Sequence, residues 1–110
     1  MDKFRKQLNK GVLELSVLKL LHEMDHYGYS IIQEINLRTN SKIQLKDGTL
    51  YPILYRLEDQ KYIESYWKTE DTRSKKPRKY YKITLMGKIR FEEMLTDYLE
   101  VTNGMKNILK

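Results

Sequence analysis

The stretch DGTLYPILYRLEDQKYI, Asp47 to Ile63, decides how the chain is read. Leu50, Ile53, Leu54 and Leu57 fall at i, i+3, i+4 and i+7, the repeat of a helix that buries one side. Thr49, Tyr51, Pro52, Tyr55, Arg56 and Asp59 are left on the other side. Lysine and glutamate are the ordinary occupants of a solvated helix face, so two tyrosines and a proline there call for a reason. Asp47 or Thr49 is the expected N-cap, since either side chain can accept a bond from an unpaired backbone N–H. Pro52 then sits within or just past the first turn, where a missing donor costs least.

Working outward, the pattern predicts a first helix from about Lys6 to Met24. It carries one apolar stripe of Leu13, Val17, Leu20, Leu21 and Met24 and a second, offset stripe of Leu8, Val12 and Leu15. A helix apolar on two sides lies between two surfaces. HYGYS breaks the pattern at Gly28. A second helix follows over roughly Tyr29 to Arg38, with Tyr29, Ile32 and Ile35 inward. TNSKIQLKD reads as a loop with a brief extended segment at Ile43 to Leu45. Residues 62–69 and 79–85, rich in aromatic and β-branched side chains, read as antiparallel strands joined by the charged loop EDTRSKKPR. A last helix is expected from about Met86 to Leu109, with Gly87 as a weak spot near its start.

Three helices followed by a two-stranded hairpin is the order of a winged helix-turn-helix: mainly α with a small β hairpin, plus a C-terminal dimerisation helix. The division is expected at residues 1–85 for the DNA-binding unit and 86–110 for the dimerisation helix, packed as one compact body. The architecture accounts for the tyrosines. The third helix would pack its leucines on the core and offer its opposite face to the DNA major groove. There a tyrosine can bond a phosphate or a base edge and lay its ring against a thymine methyl. Thr49, Tyr51, Pro52, Tyr55 and Arg56 are the candidate contacts, with Lys46 just ahead of the helix.

Charge points the same way. The 110 residues carry 21 Lys plus Arg against 15 Asp plus Glu, a formal net charge of +6. Six bases and no acid lie between Arg73 and Lys82, so these ten residues hold an excess equal to that of the whole chain. A charge run is ordinarily a solvated loop, but a localised basic excess on a short loop is also the footprint of a phosphate contact. Arg73, Lys75, Lys76, Arg78 and Lys79 are its candidates. A chain of this length is one domain with a modest core, for which help from a partner subunit is expected. The absence of cysteine excludes disulfides and thiolate chemistry. No apolar run reaches the roughly 20 residues of a membrane span. The basic N-terminus leads into an amphipathic helix rather than a signal-peptide core, so the expected location is the cytoplasm.

GTLYPILYRLEDQKYI, the following SYW, RKYYKITLMGK beyond the wing, and YGYSIIQEI on the second helix together resemble the PadR family of bacterial transcriptional regulators. The likeness covers nearly the whole chain. It implies a homodimeric winged-helix repressor, in its short form with a single C-terminal helix, acting on palindromic double-stranded DNA and in some members released by small aromatic compounds. On the matching positions it implies that Thr49, Tyr51 and Tyr55 contact DNA, and that Arg78 and Lys79 open the second wing strand. Many members have glycines at the wing tip where this chain has TRSKKP.

Other features have a plainer and a sharper reading. HEMDH, His22 to His26, matches the H-E-x-x-H pattern of zinc peptidases. Gly28 ends the helix almost at once and no third histidine exists, so both are read as surface residues at a helix end, with no metal and no cofactor expected. On the last helix Phe91, Met94, Tyr98, Val101, Met105 and Ile108 recur at spacings of 3, 4, 3, 4 and 3, a heptad seam for a second subunit. The second stripe of the first helix, Leu8, Val12 and Leu15, joins that surface. Tyr98 is either a core aromatic or a stacking wall for a planar ligand between subunits. Trp67 reads as a strand residue covering the wing's base. The competing functional classes are a winged-helix protein-interaction module without DNA and a zinc hydrolase.

Overall fold

The computed structural model describes residues 3–69 and 76–110. The order of elements is α1 (Lys3–Glu23), β1 (His26–Tyr27), α2 (Gly28–Arg38), α3 (Asp47–Asp59), β2 (Ile63–Lys68), β3 (Arg78–Ile83) and α4 (Leu85–Ile108). This is the winged helix-turn-helix read from the sequence, with most boundaries shifted by one to three residues, the scale on which helix and strand ends fray.

The core is one cluster. Leu13, Val17, Leu18, Leu20 and Leu21 of α1 meet Ile31 and Ile35 of α2, the four leucine-face residues of α3, Ile63, Tyr81, and Phe91 of α4. Leu50, Ile53, Leu54 and Leu57 are all buried, as their spacing requires. Both short helix exits use a left-handed residue. Asn40 (φ 51°) follows α2, and Ser41 N–H reaches back to the Asn36 carbonyl at 2.7 Å. Lys61 (φ 69°) follows α3, where Tyr62 N–H bonds Leu57 O and Lys61 N–H bonds Glu58 O, a Schellman arrangement.

Four expectations are corrected. The sheet has three strands, not two, in the order β1-β3-β2: His26 pairs with Tyr81 and Tyr27 with Tyr80. β1 lies where the sequence showed only a helix break, because two residues carry no periodicity and their partner is far along the chain. His26 is therefore interior, not a surface residue at a helix end. Met24 and Tyr29, both read as inward, are exposed. α1 ends at Glu23 before Met24 can face the core, and α2 begins at Gly28, a phase that buries Ile31 and Ile35 instead. The N-cap of α3 is Lys46, without a side-chain bond, rather than Asp47 or Thr49.

Residues 43–45 form no strand, yet Leu45 is buried. Asn36 holds the segment with both amide atoms, accepting from Leu45 N–H at 2.8 Å and donating to its carbonyl at 3.3 Å. Gly87 also has a reason. A Cβ there would run into the Tyr62 carbonyl and Ile83, so the first turn of α4 is clamped against the turn between α3 and β2 and the end of β3. Thr84 caps that turn, accepting from Gly87 N–H at 3.1 Å and donating to Lys61 O at 2.6 Å.

Candidate nucleic-acid interface

With one side of α3 spent on the core, the rest divides into a centre and two flanks. Thr49, Pro52 and Tyr55 are exposed, Tyr55 at 59 %. Asp59 is exposed beside them. One flank faces the sheet: Glu58 accepts from Ser65 Oγ of β2 at 2.6 Å. The other faces α1: Arg56 Nη2 is paired with Glu14 at 3.0 Å, while most of its side chain stays in solvent. Lys46 is exposed at the entry to the helix.

Tyr51 is not on the open face. It is half-buried on the sheet-side flank, packed against the core, its ring 6.3 Å from that of Tyr55. Its hydroxyl end lies against Gly28, so closely that any side chain at 28 would collide with the phenol. Burial, then the charge of Asp47, pushes the phenol pKa up, so it stays a neutral hydroxyl. Tyr51 thus fixes α3 against the start of α2, and presents its edge to a groove rather than to open solvent.

That groove runs between α3, the start of α2 and the wing strands, and its walls include Tyr29, Tyr51, Tyr55, Trp67, Arg78 and Lys79. Trp67, expected to cover the wing's base, is 67 % exposed. It follows Ile63 and Ser65 on the face of β2 that looks toward α3, one pair beyond the core, opposite Lys79. Strand parity was the signal that could have placed it, and Tyr29, read as inward, was missed for the same groove. Arg78 is held over the Tyr27 ring at 4.6 Å from its centre, and the Lys79 ammonium lies 5.7 Å from the centre of the Tyr81 ring. Lys76 is exposed at the end of the wing loop. Arg73 and Lys75 lie outside the described residues.

His26 anchors the neighbouring junction. Ser30 Oγ lies 2.9 Å from His26 Nδ1, accepts from Tyr27 N–H at 3.1 Å and donates to the Tyr27 carbonyl at 2.8 Å. The other ring nitrogen, Nε2, is buried without a partner among the described residues. Burial lowers the His26 pKa from its ordinary 6.5. The two histidines of HEMDH are on different elements, His22 on α1 with its ring 5.3 Å from that of Phe91, and His26 on β1. They do not form the one-turn pair that a zinc peptidase needs. Among the described residues no group of three His, Asp or Glu side chains is placed to hold a metal.

Away from this surface the second stripe of α1 and the seam of α4 meet in one groove. Leu8, Val12, Leu15, Phe91, Leu95 and Tyr98 line it. Phe91 is buried in its own chain, and Val12, Leu15 and Met94 are half-buried. Leu8, Tyr98, Val101, Met105 and Ile108 are exposed, Ile108 to 76 %. No helix among the described residues is long and apolar enough to cross a membrane.

A model of the transcriptional regulator PadR-like family matches residues 17–93. A protein of uncharacterised function from Lysinibacillus sphaericus is 41 % identical over 97 residues, covering 88 % of this chain and 87 % of that one. A transcriptional regulator from Clostridium thermocellum superposes with a TM-score of 0.84 at 31 % identity, over 94 % of this chain and 99 % of that one. A PadR-like transcriptional regulator from Bacillus cereus superposes with a TM-score of 0.82 at 31 % identity, over 94 % and 97 %. The chain belongs to the PadR-like family of transcriptional regulators, winged-helix proteins that bind DNA and are not enzymes.

Proposed function

We propose that the protein is a homodimeric repressor that reads a palindromic operator with α3 and is released by a planar aromatic ligand. Residues 1–85 act as the DNA-binding unit and the helix of residues 86–110 as the dimerisation element. The observation that carries the reading is the open face of α3: Thr49, Pro52 and Tyr55 project from a helix whose other side is locked in the core, beside a cationic, aromatic groove. A rigid helix with one free face is what a major groove admits. Tyr55 reads base edges, Thr49, Tyr51 and Pro52 shape the contact, and Lys46, Arg56, Lys76, Arg78 and Lys79 hold phosphates, with Arg73 and Lys75 continuing that run in the wing.

Dimerisation is supported by the apolar residues that the single chain leaves in water. A contiguous exposed apolar stripe is a partner surface, and the groove beside it, about 1040 Å³, is larger than most small ligands need. We read a second copy of α4 as the occupant of this groove, with Tyr98, which lines it, at the joint where a flat ring can stack. A ligand that favours one spacing of the two recognition helices over another shifts the equilibrium away from DNA by that difference alone.

The test is selection of bound duplexes from a random library by the purified protein, with the mass of the complex measured. Enriched palindromes with half-sites about one helical turn (roughly 10 bp) apart or a multiple of it, bound by a dimer, support the reading. A monomer that enriches no sequence overturns it.

A further inference from the structure

We propose that the groove between α1 and the first turns of α3 is a second phosphate site, which holds the DNA strand on the side of α3 opposite the wing. It rests on the DNA-binding reading above and extends the interface to a helix that nothing so far assigns to it. Lys6 and Lys10, one turn apart on α1, line this groove together with Lys46, Gly48, Thr49 and Arg56. No carboxylate lines it.

Charge complementarity favours the backbone of DNA as the occupant. A helix in a major groove about 12 Å wide lies between two phosphate strands. The wing cations serve the Tyr51 side only, because Ser65 and Glu58 fix the sheet on that flank. The Arg56–Glu14 pair fixes α1 on the other flank, so Lys6 and Lys10 are carried to the second strand. Several cations elsewhere are occupied: Lys19 and Arg38 pair with Glu23, Lys82 with Glu64 and Arg90 with Glu93. Among the described residues Lys6, Lys10 and Lys46 have no carboxylate partner. Gly48 adds a backbone with open space where a side chain would stand, in the first turn of a helix, where backbone amides begin without intrahelical acceptors. Asp47, the one acid in that turn, does not line the groove.

The experiment is the salt dependence of binding to a duplex of arbitrary sequence, and to one selected by the protein, for the full chain and for Lys6→Gln, Lys10→Gln and the double variant. Lys88→Gln, an equal loss of charge on α4 away from the groove, is the control. Each lost phosphate contact lowers the slope of log K against log salt by about 0.9, so the double variant should lose up to about 1.8 on both duplexes while keeping its base preference. An unchanged slope overturns the site and leaves the proposed function standing. An equal drop in Lys88→Gln also overturns it, since net charge would then be the cause. If the unaltered chain binds neither duplex, both readings fall together. Lys6 and Lys10 are exposed on a helix that glutamine suits, so the variants fold.

Discussion

The guanidinium of Arg78, first residue of β3, lies 4.6 Å from the ring centre of Tyr27 in β1. The two are joined through the ladder, since Tyr27 pairs with Tyr80, and the rings of Tyr27, Tyr80 and Tyr66 run side by side across three strands. Tyr66 in turn donates to Asp25 at 2.6 Å. The base of the wing is thereby tied to the turn between α1 and α2, and a cation on a loop edge acquires a fixed direction. Tyr27→Leu should keep the fold and free Arg78. A cation–π contact at such a site is worth about 0.5–1 kcal/mol, so duplex affinity should fall about two- to fivefold, with at least that loss in Arg78→Gln and little further loss when Tyr27→Leu is added to it. Binding isotherms for the three variants decide it.

Tyr51 and Tyr55 should separate in their effects. Tyr55→Ala removes an exposed side chain and should leave stability within about 0.5 kcal/mol, while operator preference drops by about 1–3 kcal/mol. Gly28→Ala should destabilise by about 1–3 kcal/mol by driving a methyl into the Tyr51 phenol. Adding Tyr51→Ala should recover part of that loss, a coupling of at least about 0.5 kcal/mol in a double-mutant cycle followed by urea unfolding.

Gly87→Ala distinguishes helix propensity from packing. An exposed helical glycine gains about 1 kcal/mol on becoming alanine. Here the new Cβ meets the Tyr62 carbonyl, which is backbone and cannot swing aside, so the substitution should cost about 1–3 kcal/mol instead. Gly104→Ala, with open space around the site, should show the opposite sign. Urea midpoints of the two variants give the comparison.

His26 should make stability depend on pH. Burial lowers its folded pKa below 6.5, outweighing the carboxylates of Glu34, Glu23 and Asp25, while Arg38 lowers it further. Below 6.5 the unfolded chain therefore binds the proton first, and stability falls as pH drops through 6.5 and levels only below the folded pKa. Above 6.5 both states are neutral and the dependence vanishes. Unfolding free energies measured between pH 8 and about 5 should show this slope, and His26→Gln should lose it.

The apolar stripe of α4 should be a subunit contact. Val101 is 66 % exposed, so Val101→Glu costs the single chain little, yet a charge there should abolish dimers in sedimentation and operator binding with them. Tyr98→Ala should spare the dimer and weaken binding of planar aromatic dyes at least tenfold, about 1.4 kcal/mol, read by emission quenching. Dye binding indifferent to Tyr98 removes the ligand role from that residue.

Amino-acid order alone was enough for the third helix, because Leu50, Ile53, Leu54 and Leu57 announce a buried side by spacing that any partner would satisfy. It was enough for the wing strands too, whose aromatic and β-branched residues favour extended backbone, and for the family, whose motif residues stand within a few positions of one another. Tertiary structure alone decided that His26 and Tyr27 form a strand, since their partners, Tyr81 and Tyr80, are remote in sequence and no local pattern marks two residues. It also decided that Tyr51 is a brace and Trp67 a groove wall. Periodicity tells which side of an element is apolar; which neighbour covers a flank depends on how distant segments cross. Tyr51 meets Gly28 because α2 and α3 cross there, and Trp67 stays bare because β2 runs one residue pair past the end of the core.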